Sequence, residues 1–180
     1  GNHLLLQVTV DGQDWIADVG LGEGILEPIP LREGTHQQFG RSFRLEILGS
    51  GEWRFHNRAD GLPPSYDFVD DSTTESRLAQ TCSDLQSDPE SMFRQNLICQ
   101  RMSEGGGVML LGRVLRSFDP ARPRRLLQSE AELMETLSST FGLRLPTVGD
   151  LWDRIQARHF EMFGSTPVEE IRFGPPADET

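Results

Sequence analysis

Asp11-Gly12 is the tightest constraint on what this chain can fold into. It lies between Leu4-Leu5-Leu6-Gln7-Val8-Thr9-Val10 and Trp15-Ile16-Ala17-Asp18-Val19. A two-residue Asp-Gly loop between such runs closes a tight antiparallel hairpin. If Asp11 and Gly12 are the loop residues, Val10 faces Gln13, and paired positions sum to 23. Leu4, Leu6, Val8 and Val10 then share a face with Trp15, Ala17 and Val19, which the pattern predicts as the core face. The opposite face carries His3, Leu5, Gln7, Asp14, Ile16 and Asp18. Asp18 stands opposite Leu5, so His3 is its diagonal neighbour. Diagonal backbones lie ~7–8 Å apart, a gap that an imidazole and a carboxylate can bridge. A one-residue slip of register would separate them.

More strands follow. Ile25 to Leu31 contains two prolines and reads as an edge strand. Ser42 to Leu48 and Glu52 to His56 alternate across Gly49-Ser50-Gly51, a second hairpin, and Ser65 to Val69 is another short strand. Short strands separated by turn signals point to a small barrel or sandwich. The second half is mixed. Asp88-Pro89-Glu90 predicts a helix start, and Asn96 to Met102 and Val108 to Leu115 predict strands joined through Glu104 to Gly107. Ser129 with Glu132 forms a capping-box pattern ahead of Leu133, Met134 and Leu137. Thr147 with Asp150 opens a last helix, with Leu151, Trp152, Ile155 and Phe160 expected inward. From Ser165 the chain is Pro-rich and acidic, and is expected to be a flexible tail.

Composition narrows the function classes. The 180 residues hold 17 basic and 28 acidic groups, a formal charge of −11, which argues against a phosphate-backbone binder and predicts no nucleic-acid partner. Every basic residue is arginine, so lysine chemistry is absent. No apolar run nears the ~18 residues of a membrane span, and no secretory signal opens the chain. The expected setting is cytoplasmic. Cys82 and Cys99 fit neither a disulfide framework nor a zinc site, and His36, His56 and His159 form no metal-ligand spacing, so no metal is expected.

An Asp that orients a His makes up two members of a nucleophile–base–orienter triad. Asn2-His3-Leu4-Leu5-Leu6, the fifteen-position step to Asp18, and Asp18-Val19-Gly20-Leu21-Gly22 followed by Leu26-Glu27-Pro28-Ile29-Pro30-Leu31 together resemble the arylamine N-acetyltransferase family. Tyr66-Asp67-Phe68, Ser87 to Phe93 and Phe141-Gly142-Leu143 extend the likeness over about residues 2 to 160. The resemblance implies an α+β fold, a small antiparallel β-barrel followed by an α/β lid. Its domains would be a barrel over 1–84, a lid over 85–164 and a tail over 165–180. It also implies acetyl transfer from acetyl-CoA, through a cysteine thioester, to an arylamine, arylhydrazine or N-hydroxyarylamine. His3 would be the general base and Asp18 its orienter.

The family's cysteine sits in an Arg-Gly-Gly-x-Cys motif upstream of the His, in an N-terminal helical domain. Neither Cys82 nor Cys99 has that motif or that position. The chain is therefore expected to be the C-terminal portion of an acetyltransferase, partnered by the missing domain, with dimerisation as one way to cover an exposed apolar face. Gly20, Gly22 and Gly24 offer backbone to CoA or to the acyl group, or else form a tight turn needing positive φ. Leu21 stands where the family motif has an aromatic pocket residue, and Phe93 lines the same pocket or packs in a core. Two other functions fit the scaffold: an amide synthase acting on a carrier-bound acyl chain, suggested by Leu21, and a non-catalytic binding module, suggested by the absent nucleophile.

Overall fold

The structure is a computed structural model that describes residues 3–57, 63–69, 75–119 and 121–173. It divides into two compact units. The first comprises Gly1–Thr74 with Met102–Gly105 and Phe173–Thr180, and the second Glu75–Arg101 with Gly106–Arg172.

In the first unit, β1 (Leu6–Val10) and β2 (Gln13–Ala17) pair in the register the turn demands, with Val10 opposite Gln13 and Leu6 opposite Ala17. Asp11 and Gly12 take φ of 51° and 75°, the two positive values of a type I′ turn. β3 (Ile29–Pro30) completes a three-stranded sheet in the order β1-β2-β3. It is two residues long because Pro28 and Pro30 have no N–H to extend the ladder. A second sheet is a four-stranded meander of β4 (Gly34–Gln38), β5 (Arg41–Gly49), β6 (Glu52–His56) and β7 (Ser65–Val69). At the β5–β6 hairpin the register shifts between Ile47 and Gly49, a bulge beside the glycine-rich turn.

Among the described residues the first unit holds two open antiparallel sheets, and no closed barrel is found. The expected core face of the first hairpin is inverted. Leu4, Leu6, Val8 and Val10 are about half exposed and Val19 is 89% exposed, whereas Ile16 is 1% exposed and Asp18 is buried. The inward face meets a core of Ile16, Ile25, Ile29, Phe43, Leu45 and Phe55, with Leu21, Trp53, Tyr66 and Phe68 packed against it. Alternation along a strand separates two faces but does not say which one meets the neighbouring sheet.

The second unit holds α1 (Glu75–Ser87), α2 (Met92–Gln95), β8 (Ile98–Ser103), β9 (Gly106–Leu111), β10 (Val114–Ser117), β11 (Arg125–Leu126), α3 (Glu130–Phe141) and α4 (Trp152–Phe163). Its sheet runs β11-β10-β9-β8. The strand expected over 108–115 is broken by Gly112, whose φ of 55° turns the chain between β9 and β10. The Ser129 hydroxyl accepts from the Glu132 N–H at 3.2 Å, the expected cap, and Gly142 at φ 71° ends α3. Leu133 and Leu137 turn inward with Leu110, Leu127, Val148 and Ile155.

On α4 the expected face is only partly realised. Ile155 is buried, but Leu151 and Phe160 are exposed and His159 takes an inward place. The α2 helix is capped by Ser91, three residues past the Asp88 start that the sequence suggested. α1 was not anticipated, and it buries no residue. Residues 165–173, expected to be flexible, include Ile171, which is 1% exposed, and Arg124 donates to the carbonyls of Glu169 and Ile171. The rest of that expected tail, 174–180, lies outside the described residues. No helix among the described residues is long and apolar enough to cross a membrane.

The core assignment makes a clear prediction. Phe55→Ala should destabilise the chain by about 3–5 kcal/mol in urea unfolding followed by tryptophan fluorescence. Val8→Ala, on the exposed face, should change stability by no more than about 0.5 kcal/mol.

Candidate active site

The site is assembled around one carboxylate. Asp18 follows β2 directly, and its side chain is 1% exposed. An ionised carboxylate only accepts hydrogen bonds, and burying it without donors is costly. Asp18 has four donors. His3 donates from Nε2 to Oδ2 at 2.8 Å, and the Tyr66 hydroxyl donates to the same oxygen at 2.9 Å. Oδ1 accepts from the backbone N–H groups of Gly20 at 2.9 Å and Leu21 at 3.0 Å. Burial pushes the carboxyl pKa up, but the His3, Tyr66 and Leu21 contacts outweigh it, and the net effect holds Asp18 below its usual value of 3.8.

The same bonds fix the imidazole. Because Nε2 carries the hydrogen that faces Asp18, the neutral ring has its lone pair on Nδ1. The His3 side chain is 27% exposed, and its ring meets Tyr66 edge-on with centroids 5.1 Å apart. Tyr66 in turn stacks on Phe55 of the core. Burial and the Asp18 charge push the Tyr66 hydroxyl pKa well up, so it stays protonated as a donor.

The glycines following Asp18 do not form the positive-φ turn that was one expectation for them. None of Gly20, Gly22 and Gly24 has positive φ. Gly20 is needed for close approach: a Cβ there would lie 3.1 Å from His3 Cε1 and 3.5 Å from Nδ1. Gly24 closes a turn by donating to the Leu21 carbonyl at 3.0 Å, and a Cβ on it would press on Leu21 at 3.2–3.3 Å. Gly22 lies within that turn. Leu21 packs against the core. Phe93 belongs to the second unit, on α2, and is 57% exposed.

Neither cysteine lies in the unit that carries the His3–Asp18 pair. Cys82 is exposed on α1 and Cys99 is half-buried, its thiol pKa pushed up by burial. Among the described residues no group of three or more His, Cys, Asp or Glu side chains is placed to hold a metal ion. His36 is buried with Nε2 3.1 Å from the Arg32 carbonyl, and His56 Nε2 meets Glu46 at 2.6 Å.

A family model described as N-acetyltransferase matches residues 1–149. The chain belongs to the arylamine N-acetyltransferase family. Arylamine N-acetyltransferase 1 of Bos taurus is 30% identical over 79% of this chain and 58% of its own length. Among solved structures, the arylamine N-acetyltransferase of Mycobacterium abscessus matches with a TM-score of 0.70 and 27% identity, covering 86% of this chain and 57% of that one. The Mycobacterium marinum enzyme, solved in complex with CoA, shares the fold with a TM-score of 0.70 at 23% identity, covering 96% of this chain and 62% of that one. The chain thus spans well under two thirds of the length of these relatives.

Tyr66 is the site residue that the reasoning from the hairpin missed. Its only local signal is the period-2 pattern of β7, which turns Tyr66 and Phe68 toward the core and leaves Asp67 outside.

Two substitutions test the geometry of this site. Because the folded pKa of Asp18 lies below its unfolded value, the resulting stability is present above pH 3.8 and is lost as pH falls through the lower folded value. Tyr66→Phe removes one donor, so carboxyl NMR should show the Asp18 titration moving up. Urea unfolding at neutral pH should show a loss of about 1.5–3 kcal/mol. Gly20→Ala should push the imidazole off Asp18, seen as loss of the protected His3 Nε2 proton in NMR spectra.

Proposed function

We propose that His3 and Asp18 are the base and orienter of an acetyl transfer from acetyl-CoA to an arylamine, arylhydrazine or N-hydroxyarylamine. The observation that carries this reading is the 2.8 Å bond from His3 Nε2 to Asp18, which leaves the Nδ1 lone pair available to a thiol. The family membership and the Bos taurus relative's name support the substrate class, and the Mycobacterium marinum complex supports CoA as the acyl carrier.

In this reading Nδ1 takes the proton of a cysteine thiol that neither Cys82 nor Cys99 provides. The thiolate attacks the thioester carbonyl of acetyl-CoA, and the tetrahedral intermediate expels CoA, which leaves with the proton from Nδ1. The amine then attacks the acetyl-cysteine. Nδ1 accepts the amine proton and returns it to the departing cysteine sulfur. Asp18 stabilises the imidazolium formed in each half without taking the proton itself. Oxyanion donors must come from elsewhere, because the N–H groups of Gly20 and Leu21 are committed to Asp18. Leu21 and Phe93 are assigned to the acceptor pocket, and Gly20, Gly22 and Gly24 to the loop that borders it. The family's barrel and lid belong to the same proposal, with the first unit as the barrel-derived part and the second as the lid.

The test uses the gene product translated from its natural start, with acetyl-CoA and an aniline as substrates. Release of free CoA should depend on the amine, and His3→Gln and Asp18→Asn should each lower turnover by about 10³–10⁴-fold. Turnover that survives either substitution would overturn the assignment.

A further inference from the structure

Of the buried polar side chains that the mechanism does not use, Gln38 reaches from one strand end to the loop after Asp18. Gln38 ends β4 and is 8% exposed. Its backbone is fixed by pairing with Arg41 across a two-residue turn, in which Phe39 and Gly40 take φ of 50° and 74°. From this rigid end its amide reaches across to the loop that follows Asp18. Oε1 accepts from the N–H groups of Leu26 at 2.9 Å and Glu27 at 3.2 Å, and Nε2 donates to the Glu27 carbonyl at 2.6 Å. A single side chain thus does for residues 26–27 what a neighbouring strand would do. The near end of the same loop is held by the N–H bonds of Gly20 and Leu21 to Asp18, and the middle by the Gly24–Leu21 turn. Ile25, between the turn and the Gln38 contacts, is sunk in the core.

We propose that Gln38 is a positioning residue for the His3–Asp18 pair: it anchors the far end of the 20–27 loop, and thereby keeps the Gly20 and Leu21 N–H groups on the carboxylate. This rests on the catalytic reading of that pair. A loop of this composition, with three glycines, has high conformational entropy unless both ends are tied. Gln38 supplies the second tie from a strand end, the kind of rigid support that holds a site in register.

The experiment is hydrogen exchange and carboxyl NMR on the 180-residue chain. In Gln38→Met, the Gly20 and Leu21 amides should exchange about tenfold faster relative to the β5 and β6 amides than in the unsubstituted chain. The Asp18 titration should move up, because the Leu21 bond that helps lower it is weakened. Leu45→Val, in the same core, should speed exchange across the unit without changing that ratio. If Gln38→Met does not fold, Gln38→Asn serves, since its shorter amide stays polar but no longer spans to the 26–27 backbone, and the same shift is expected. Gly20 and Leu21 amides that simply track β5 and β6 in the Gln38 variant, or that respond equally to Leu45→Val, overturn the proposal. None of these readouts uses a substrate, so they can fail while acetyl transfer stands. A gene product without acetyl transfer would remove the catalytic reading and leave the contacts intact.

Discussion

A carboxylate buried to 1% exposure sets the terms for the whole first unit. Taking that charge out of water costs several kcal/mol unless donors surround it. The donors cannot all be local, because a carboxylate at the end of a strand reaches only its own loop and its hairpin partner. Gly20 and Leu21 come from the loop and His3 from the segment leading into β1, but Tyr66 comes from β7 in the other sheet. Asp18 therefore ties the end of the first hairpin to the second sheet by a polar contact. The ring stack from Phe43 through Phe55 to Tyr66 carries that tie straight into the core. The site is an extension of the core, so its precision comes from packing as much as from polar contacts.

This explains what could and could not be read from the chain alone. The register of the first hairpin followed from Asp11-Gly12, since a two-residue loop leaves no freedom in pairing, and the register alone brought His3 to Asp18. The inward face did not follow. The stripe of Leu4, Leu6, Val8 and Val10 is more apolar than the side that is actually buried, yet it is the one left half exposed. Which side of a strand is buried depends on where the second sheet lies, and that information is non-local. Tyr66 is 48 residues from Asp18. Its role has no local signature beyond an alternating strand. α1 escaped notice for a related reason: a helix that buries none of its residues carries little apolar periodicity to detect.

Three glycines in five positions suggested either backbone offered to CoA or the acyl group, or a turn with positive φ. None of the three has positive φ, and at two of them the missing Cβ is what the packing requires. Gly20 leaves room for the edge of the imidazole, and Gly24 leaves room for Leu21. With Asp18 at one end and Gln38 at the other, the loop is tied at both ends.

Three buried titratable groups separate a site from a core. Burial lowers the His159 pKa, the nearby Arg113 charge lowers it further, and its Nδ1 has no hydrogen-bond partner among the described residues. Burial raises the Cys99 thiol pKa, and nothing opposes it. In both, the environment favours the neutral form, so the side chain behaves as a hydrophobe with a polar edge. At Asp18 burial likewise favours the neutral form but loses to the donors arranged around the carboxylate. A charge kept in place against desolvation must be held by a preorganised set of dipoles, which is also what stabilises a transient imidazolium beside it. The polarity that makes Asp18 expensive to bury is thus the property that fixes the orientation of the His3 ring, and Cys99 and His159 lack any comparable arrangement.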